Sequence, residues 1–202
     1  MMYNLNRHFK FIILWGMIIA ILALVVSLIL PKYYSADSDV LIMTRASGGV
    51  DPYTQAKSAE RIGENLAQVL PTTDFYKKVM SQLDLEFDKN VWEDLTDRKQ
   101  RKKWARDVRA GVKYGTNMMH ITTYARTKIE AVNLSNAVVA TVIKSGWEYV
   151  GNEVVVKPVN DPLVSFLPAR PNMILNMILG FVLGILLSTL WVVKSKEIEY
   201  NN

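Results

Sequence analysis

The densest chemistry in this chain is cationic: Arg98, Lys99, Arg101, Lys102, Lys103, Arg106 and Arg109 crowd around Trp104 and Val108. Several cations on one short helix raise the local anion concentration, so the cluster is a candidate contact for phosphate or an anionic polymer. The plainer readings are a solvated face, or long cationic side chains snorkelling toward lipid headgroups. The carboxylates make no convincing catalytic pair: Asp37 and Asp39 share one strand face, and Glu93, Asp94 and Asp97 suit the start of a helix. With two histidines, His8 and His120, and no cysteine, the chain hardly has the ligands for zinc and has none for disulfides or thiolate metal sites. His120 reads as a side chain on a sheet face. A phosphate-binding Gly-x-x-x-x-Gly-Lys-Ser/Thr loop, a Gly-x-Ser-x-Gly elbow and a His-Glu-x-x-His helix are all missing. The expectation is a protein that is not an enzyme, with no catalytic residue, metal or cofactor.

A different chemistry lies in Gly180-Phe-Val-Leu-Gly184, a GxxxG pair inside an apolar run. Such a pair lets two helix backbones approach closely, although the glycines could also merely face lipid. Asn172 and Asn176 lie one turn apart at the start of that run. Asn172 fits the interface, whereas Asn176 needs a partner in or near lipid, which favours oligomerisation or pairing of spans.

The elements that must position these groups begin with two uncharged runs, Phe11 to Leu30 and Asn172 to Val193, one toward each end of the chain. At 1.5 Å per residue, about 20 residues match the roughly 30 Å hydrocarbon core of a bilayer. The basic Arg7 and Lys10 before the first run would also suit a signal peptide, but Pro31-Lys32-Tyr33-Tyr34 follows in place of a small-x-small cleavage site, so the run reads as a retained anchor. The flanks Arg7, Lys10, Lys194 and Lys196 place both termini in the cytoplasm. The net charge of +5 is modest and spread along the chain, which gives no sign of nucleic-acid binding.

Between the runs, Tyr34 to Met43 reads as a strand that ends in a loop at Ser47-Gly48-Gly49. Asp51-Pro52 supplies the cap and first-turn proline of a helix that carries Ala59, Ile62, Leu66 and Val69, with a break expected near Gly63. Thr73 or Asp74 caps a second helix ending near Leu85, and Thr96 to Arg109 forms a short exposed one. Val108–Tyr114 and Met118–Tyr124 flank Gly115-Thr116-Asn117 as a hairpin. Thr127-Lys-Ile-Glu130 is a capping box, after which Ile129, Val132, Asn136, Val139, Ile143, Trp147 and Val150 keep helical spacing and Leu134, Val138 and Val142 make a second stripe. A helix apolar on two faces is expected to be the buried spine of the domain. Glu153 to Val159 is a last strand, and Pro158, Pro162, Pro168 and Pro171 then predict a stiff extended connector. The expected fold is a membrane hairpin of two transmembrane helices flanking one α+β extracytoplasmic domain. Its parts are a cytoplasmic N-terminus (1–10), a first span (11–30), the domain (31–157), the connector (158–171), a second span (172–193) and a cytoplasmic tail (194–202).

In this order the features resemble the polysaccharide co-polymerases, or chain-length determinant (Wzz-like) family, over nearly the whole chain. The matching pieces are the first span, Tyr34-Ser-Ala36 leading into a strand, the prolines at 162, 168 and 171, and a second span with Gly180 and Gly184. Thr122 to Ala137 is similar to the family's strand followed by a helix whose first turns end in an Ala/Asn pair. Arg170 and Asn172 stand where the family often has a serine and a lysine. The chain has no room for the long helical extensions of the large members and no fused kinase after Asn202, so it looks like the short form paired with a cytoplasmic tyrosine kinase in Gram-positive capsule systems. The resemblance implies a non-enzymatic homo-oligomer in the bacterial cytoplasmic membrane. There it would act beside a polysaccharide polymerase and set the length, polymerisation or export of O-antigen, capsule or exopolysaccharide, with a tyrosine kinase as a further partner. A membrane-anchored sensory module with a ligand-binding extracytoplasmic domain is the alternative.

Overall fold

The computed structural model describes residues 2–44, 51–82, 87–151 and 154–200. The loop expected at Ser47-Gly48-Gly49, the helix end at Leu85 and the strand start at Glu153 lie outside the described residues. The chain divides into two compact units, one of Met1–Lys32 with Pro168–Asn202 and one of Tyr33–Leu167.

The first unit is an antiparallel pair of long apolar helices, α1 (Met2–Ile29) and α8 (Met173–Tyr200). Phe9–Ile29 and Met173–Lys194 reach mean hydropathies of 3.0 and 2.3, and both stretches are long and apolar enough to cross a membrane. Their large side chains point outward, with Leu22 63% and Leu190 66% exposed. Small residues fill the seam between them. Asn172 caps α8 through its side-chain oxygen, which accepts from the Leu175 N–H at 3.1 Å.

The second unit is mixed α/β. Its elements are β1 (Tyr34–Thr44), α2 (Pro52–Val69), α3 (Thr73–Met80), α4 (Asn90–Glu93), α5 (Asp97–Asp107), β2 (Val108–Lys113), β3 (Met118–Ala125), α6 (Lys128–Ser145), α7 (Trp147–Val150), β4 (Val154–Pro158) and β5 (Leu163–Val164). The sheet is antiparallel in the order β2-β3-β1-β4, with β5 also on β1. From Ala36 on, the long central β1 alternates: Ala36, Ser38, Val40 and Ile42 are buried, and Asp37 and Asp39 face the other way. Met119, Ile121 and Thr123 of β3 join the buried face, which α2, α5 and α6 cover. The core centres on Trp104, 1% exposed, whose ring meets Tyr76 and Trp92 edge-on at 5.1 and 5.9 Å and whose Nε1–H donates to the Leu70 carbonyl at 2.9 Å.

Local signals explain most of these elements. Asp51 caps α2 by accepting from the N–H groups of Tyr53 and Thr54, and the Thr127–Glu130 capping box opens α6 as its spacing predicts. The β2–β3 hairpin turns at Gly115, whose φ of 74° suits glycine.

Four expectations need correction. Helix α2 runs unbroken through Gly63; the glycine is there because a Cβ would sit 3.0 Å from both Ile42 Cδ1 and Val112 Cγ2, where helix meets sheet. Helix α3 is capped by Thr72, one residue before Thr73 and two before Asp74. Helix α6 does not bury its two apolar stripes equally: Leu134, Val138 and Val142 are fully buried, whereas in the other stripe Val132 and Val139 are half-buried, Ile129 and Ile143 are 74% and 42% exposed, and Trp147, already in α7, is 46% exposed. The first half of the proline segment is not a free connector but sheet edge. Pro158 ends β4, Val159 N–H donates to the Asp39 carbonyl at 2.9 Å, and Leu163–Val164 pairs with Ala36–Asp37. Pro162 falls in the turn between these strands, and Pro168 and Pro171 belong to the other unit.

Candidate functional site

Three places gather the functional groups that the sequence singles out. The first is the helix seam. A Cβ on Gly180 would lie 2.7 Å from Ala23 Cβ and 3.1 Å from the Ile19 carbonyl oxygen. One on Gly184 would lie 2.7 Å from Gly16 Cα and 3.0 Å from the Trp15 carbonyl oxygen. Both glycines are therefore required by backbone contact, and the backbone they touch is α1 of the same chain. Asn176 finds its partner there too: its Nδ2 donates to Ser27 Oγ at 2.8 Å, and Ser27 Oγ donates onward to the Ala23 carbonyl at 2.9 Å. The small-residue motif thus closes a hairpin within one chain. The sequence identified the motif but not its partner, because Gly16, Ala20 and Ala23 on α1 read only as part of a hydrophobic run.

The second place is α5. Arg98, Lys99, Arg101, Lys102 and Arg106 all lie on the exposed side of the helix, and Arg109 continues the row onto β2, its guanidinium 5.9 Å from the Tyr124 ring centre. Arg98, Lys99, Arg101 and Lys102 have no ion-pair partner among the described residues, so their field is directed at solvent. Lys103 separates from the cluster. Its ammonium pairs with Asp107, whose side chain is 1% exposed, and lies 5.1 Å over the Trp92 ring and 5.8 Å over that of Tyr33. It neutralises a buried carboxylate and is a structural group rather than an anion contact. Helical spacing explains the split, since Lys103 and Asp107 are one turn apart on the edge that Trp104 anchors.

The third place is the polar face of the sheet, which the sequence anticipates only in part. Asp37 and Asp39 share that face as their spacing predicts, and the β1–β3 register sets His120 opposite Asp39. The His120 ring nitrogens lie 2.9 Å from Asp39 Oδ1 and 3.3 Å from Asp37 Oδ1. Lys113 Nζ reaches Asp39 at 2.9 Å, Thr122 Oγ1 donates to Asp37 at 2.7 Å, and the Asp39 N–H donates to Asn160 Oδ1 at 2.7 Å. Burial works against ionisation of Asp39, but the hydrogen bonds and charges of Lys113 and His120 outweigh it and hold the carboxyl below its ordinary range. Each carboxylate is thus already engaged by neighbours. Among the described residues no group of three or more His, Cys, Asp or Glu is arranged to hold a metal ion.

The strand motif Tyr34-Ser-Ala36 has a packing role. Ala36 is fully buried against Ala125 and Ala131, with Thr123 Oγ1 donating to the Ala131 carbonyl at 2.9 Å, so α6 comes too close to β1 for a larger side chain. Tyr34 lies at the same end of the sheet, its ring centre 5.5 Å from Lys128 Nζ. Compared with protein-family models and with curated proteins, the chain gives no match.

Proposed function

We propose that this chain is a non-enzymatic, oligomeric protein of the bacterial cytoplasmic membrane that regulates the length, polymerisation or export of a surface polysaccharide. The observation that carries the reading is the ordered set of parts: an apolar helix, a sheet whose central strand opens on Tyr34-Ser-Ala36, an extended proline segment laid along that strand, and a second apolar helix with Gly180 and Gly184. The outward-facing apolar side chains of α1 and α8 favour lipid as their solvent, because in water they would be a large exposed patch. With both termini cytoplasmic, the α/β unit lies outside the cytoplasm.

Contact between copies involves the α/β unit. The exposed side chains of Ile143 on α6 and Trp147 at the start of α7 support side-by-side packing, since aromatic and aliphatic side chains on rigid helices are what interfaces bury. The exposed cations of α5 support contact with an anionic polymer or with the pyrophosphate of its lipid carrier. A polymerase and a tyrosine kinase remain the proposed partners. The reading is tested by sizing surface polysaccharide from cells with the gene deleted and then restored. Loss of a defined length band on deletion and its return on restoration are expected; an unchanged profile overturns the proposal. The second reading, a sensory module, draws on the Asp37–His120–Asp39 cluster, and it gains if the profile is unchanged while Asp39→Asn alters expression of envelope genes.

A further inference from the structure

The chain joins the α/β unit at Tyr33 and leaves it at Leu167, and both points lie at one end of the sheet. Tyr34 pairs with Ala125, Ala36 pairs with Val164, and the Ser165 N–H donates to the Ser35 carbonyl at 2.8 Å. Helix α6 starts at the same end, where Lys128 Nζ sits between two rings, 5.5 Å from the centre of Tyr34 and 5.1 Å from that of Phe166. Large apolar side chains are turned outward here: Phe166 is 86% exposed, Leu167 65% and Ile129 74%. Arg126 and Lys128 beside them are exposed as well. Large apolar side chains grouped at one end of a domain make an exposed apolar patch, the kind of surface that marks a contact.

We propose that this end of the α/β unit is seated in the bilayer interface, with Phe166, Leu167 and Ile129 in the boundary between headgroups and acyl chains and Arg126 and Lys128 on lipid phosphates. The proposal rests on the reading of α1 and α8 as membrane spans. Two features select lipid as the occupant. Aromatic rings and long cations around short apolar side chains are the composition that bilayer interfaces favour. Connectivity supplies the other: Tyr33 is three residues beyond Leu30, so a fully extended chain holds it within about 10 Å of the end of the first apolar run. The headgroup layer on each side of the hydrocarbon is about 5–8 Å deep, so the tether alone brings this end into that layer or to its edge. The domain would then be held by its surface as well as by its tethers, which fixes the end from which its sheet and α6 project.

The chain has no cysteine of its own, so single cysteines can carry nitroxide labels on the full-length protein. Phe166→Cys, Leu167→Cys and, as a water-facing reference on the hairpin turn, Tyr114→Cys are labelled and reconstituted in phosphatidylcholine vesicles containing phosphatidylglycerol. Their accessibility to an aqueous nickel chelate is then read by power saturation. Labels at 166 and 167 should be several-fold less accessible than at 114, and Arg126→Gln with Lys128→Gln should move them toward the reference. Accessibility equal to that at 114 overturns the proposal. Protection that disappears as protein is diluted into lipid also overturns it, assigning the patch to a second copy. The vesicles contain no polysaccharide, so protection seen there owes nothing to polymer. Labels at Leu22→Cys and Val182→Cys separate the two readings. If these lie in hydrocarbon while 166 and 167 are in water, only the docking fails; if they too are in water, the span reading fails and the docking with it.

Discussion

The two units solve the same problem, closing a chain on itself, with opposite materials. In the α1–α8 pair the contact is made by what is missing: Gly16, Gly180 and Gly184 bring backbones together, and the large apolar side chains point away. In the α/β unit large side chains make the contact, Trp104, Phe75, Leu66 and Ile121 being buried, and the charges of α5 point away. The proposed reading of α1 and α8 as membrane spans accounts for the difference. In water, apolar area drives large residues inward; in lipid that drive is absent, and close packing of small residues with an occasional hydrogen bond, here Asn176 to Ser27, takes its place. Within the chain the motif closes the α1–α8 hairpin.

Variants should break one unit and spare the other. Trp104→Ala removes the centre of the aromatic core and leaves the Leu70 carbonyl without its donor. It should cost the α/β unit about 3–5 kcal/mol in urea unfolding followed by circular dichroism, while leaving α1–α8 pairing unchanged. Next in size, Lys103→Met leaves the buried Asp107 carboxylate with only the Arg106 guanidinium, 3.7 Å away, and should cost about 1.5–3 kcal/mol. Arg101→Met on the same helix should stay within about 0.5 kcal/mol of wild type in the same assay, because its side chain is exposed and has no ion pair among the described residues. Gly184→Leu has no room against Gly16 and should cost the hairpin about 1–3 kcal/mol. That loss is read as reduced disulfide cross-linking between cysteines introduced at Ala20 and Gly180's neighbour Phe181, with the melt of the α/β unit unaltered. A small, pH-dependent effect is expected of Asp39→Asn. Because Asp39's carboxyl is held below its ordinary range, its contribution to stability is present above the usual carboxylate range and fades as pH falls through its lowered folded value. Wild type should therefore exceed the variant at neutral pH and converge with it in strong acid, by a margin that salt reduces.

Much of this division is legible in the sequence. Periodicity locates both apolar helices, the alternation of β1, the hairpin at Gly115 and the capping box at Thr127, since each depends on neighbours a few residues away. What stays hidden depends on distant partners. The side of α6 that is buried could not be chosen from two apolar stripes, because β1 and β3 make the choice. His120 could be put on a sheet face but not between Asp37 and Asp39, since that needs the β1–β3 register. Lys103 looks like its cationic neighbours until Asp107 and Trp92 are set beside it. Prolines 158 and 162 signal extension correctly, yet whether an extended segment runs free or pairs with a strand edge is decided by β1.

The central claim is that the two units occupy different solvents, lipid for α1–α8 and the aqueous space outside the cytoplasm for the α/β unit. Sidedness of single cysteines in intact cells tests it most directly. Tyr114→Cys should react with a maleimide that cannot cross the cytoplasmic membrane, whereas Leu22→Cys and Val182→Cys should resist it until detergent is added. Reaction at all three positions, or failure at Tyr114 until the cells are opened, would contradict the account.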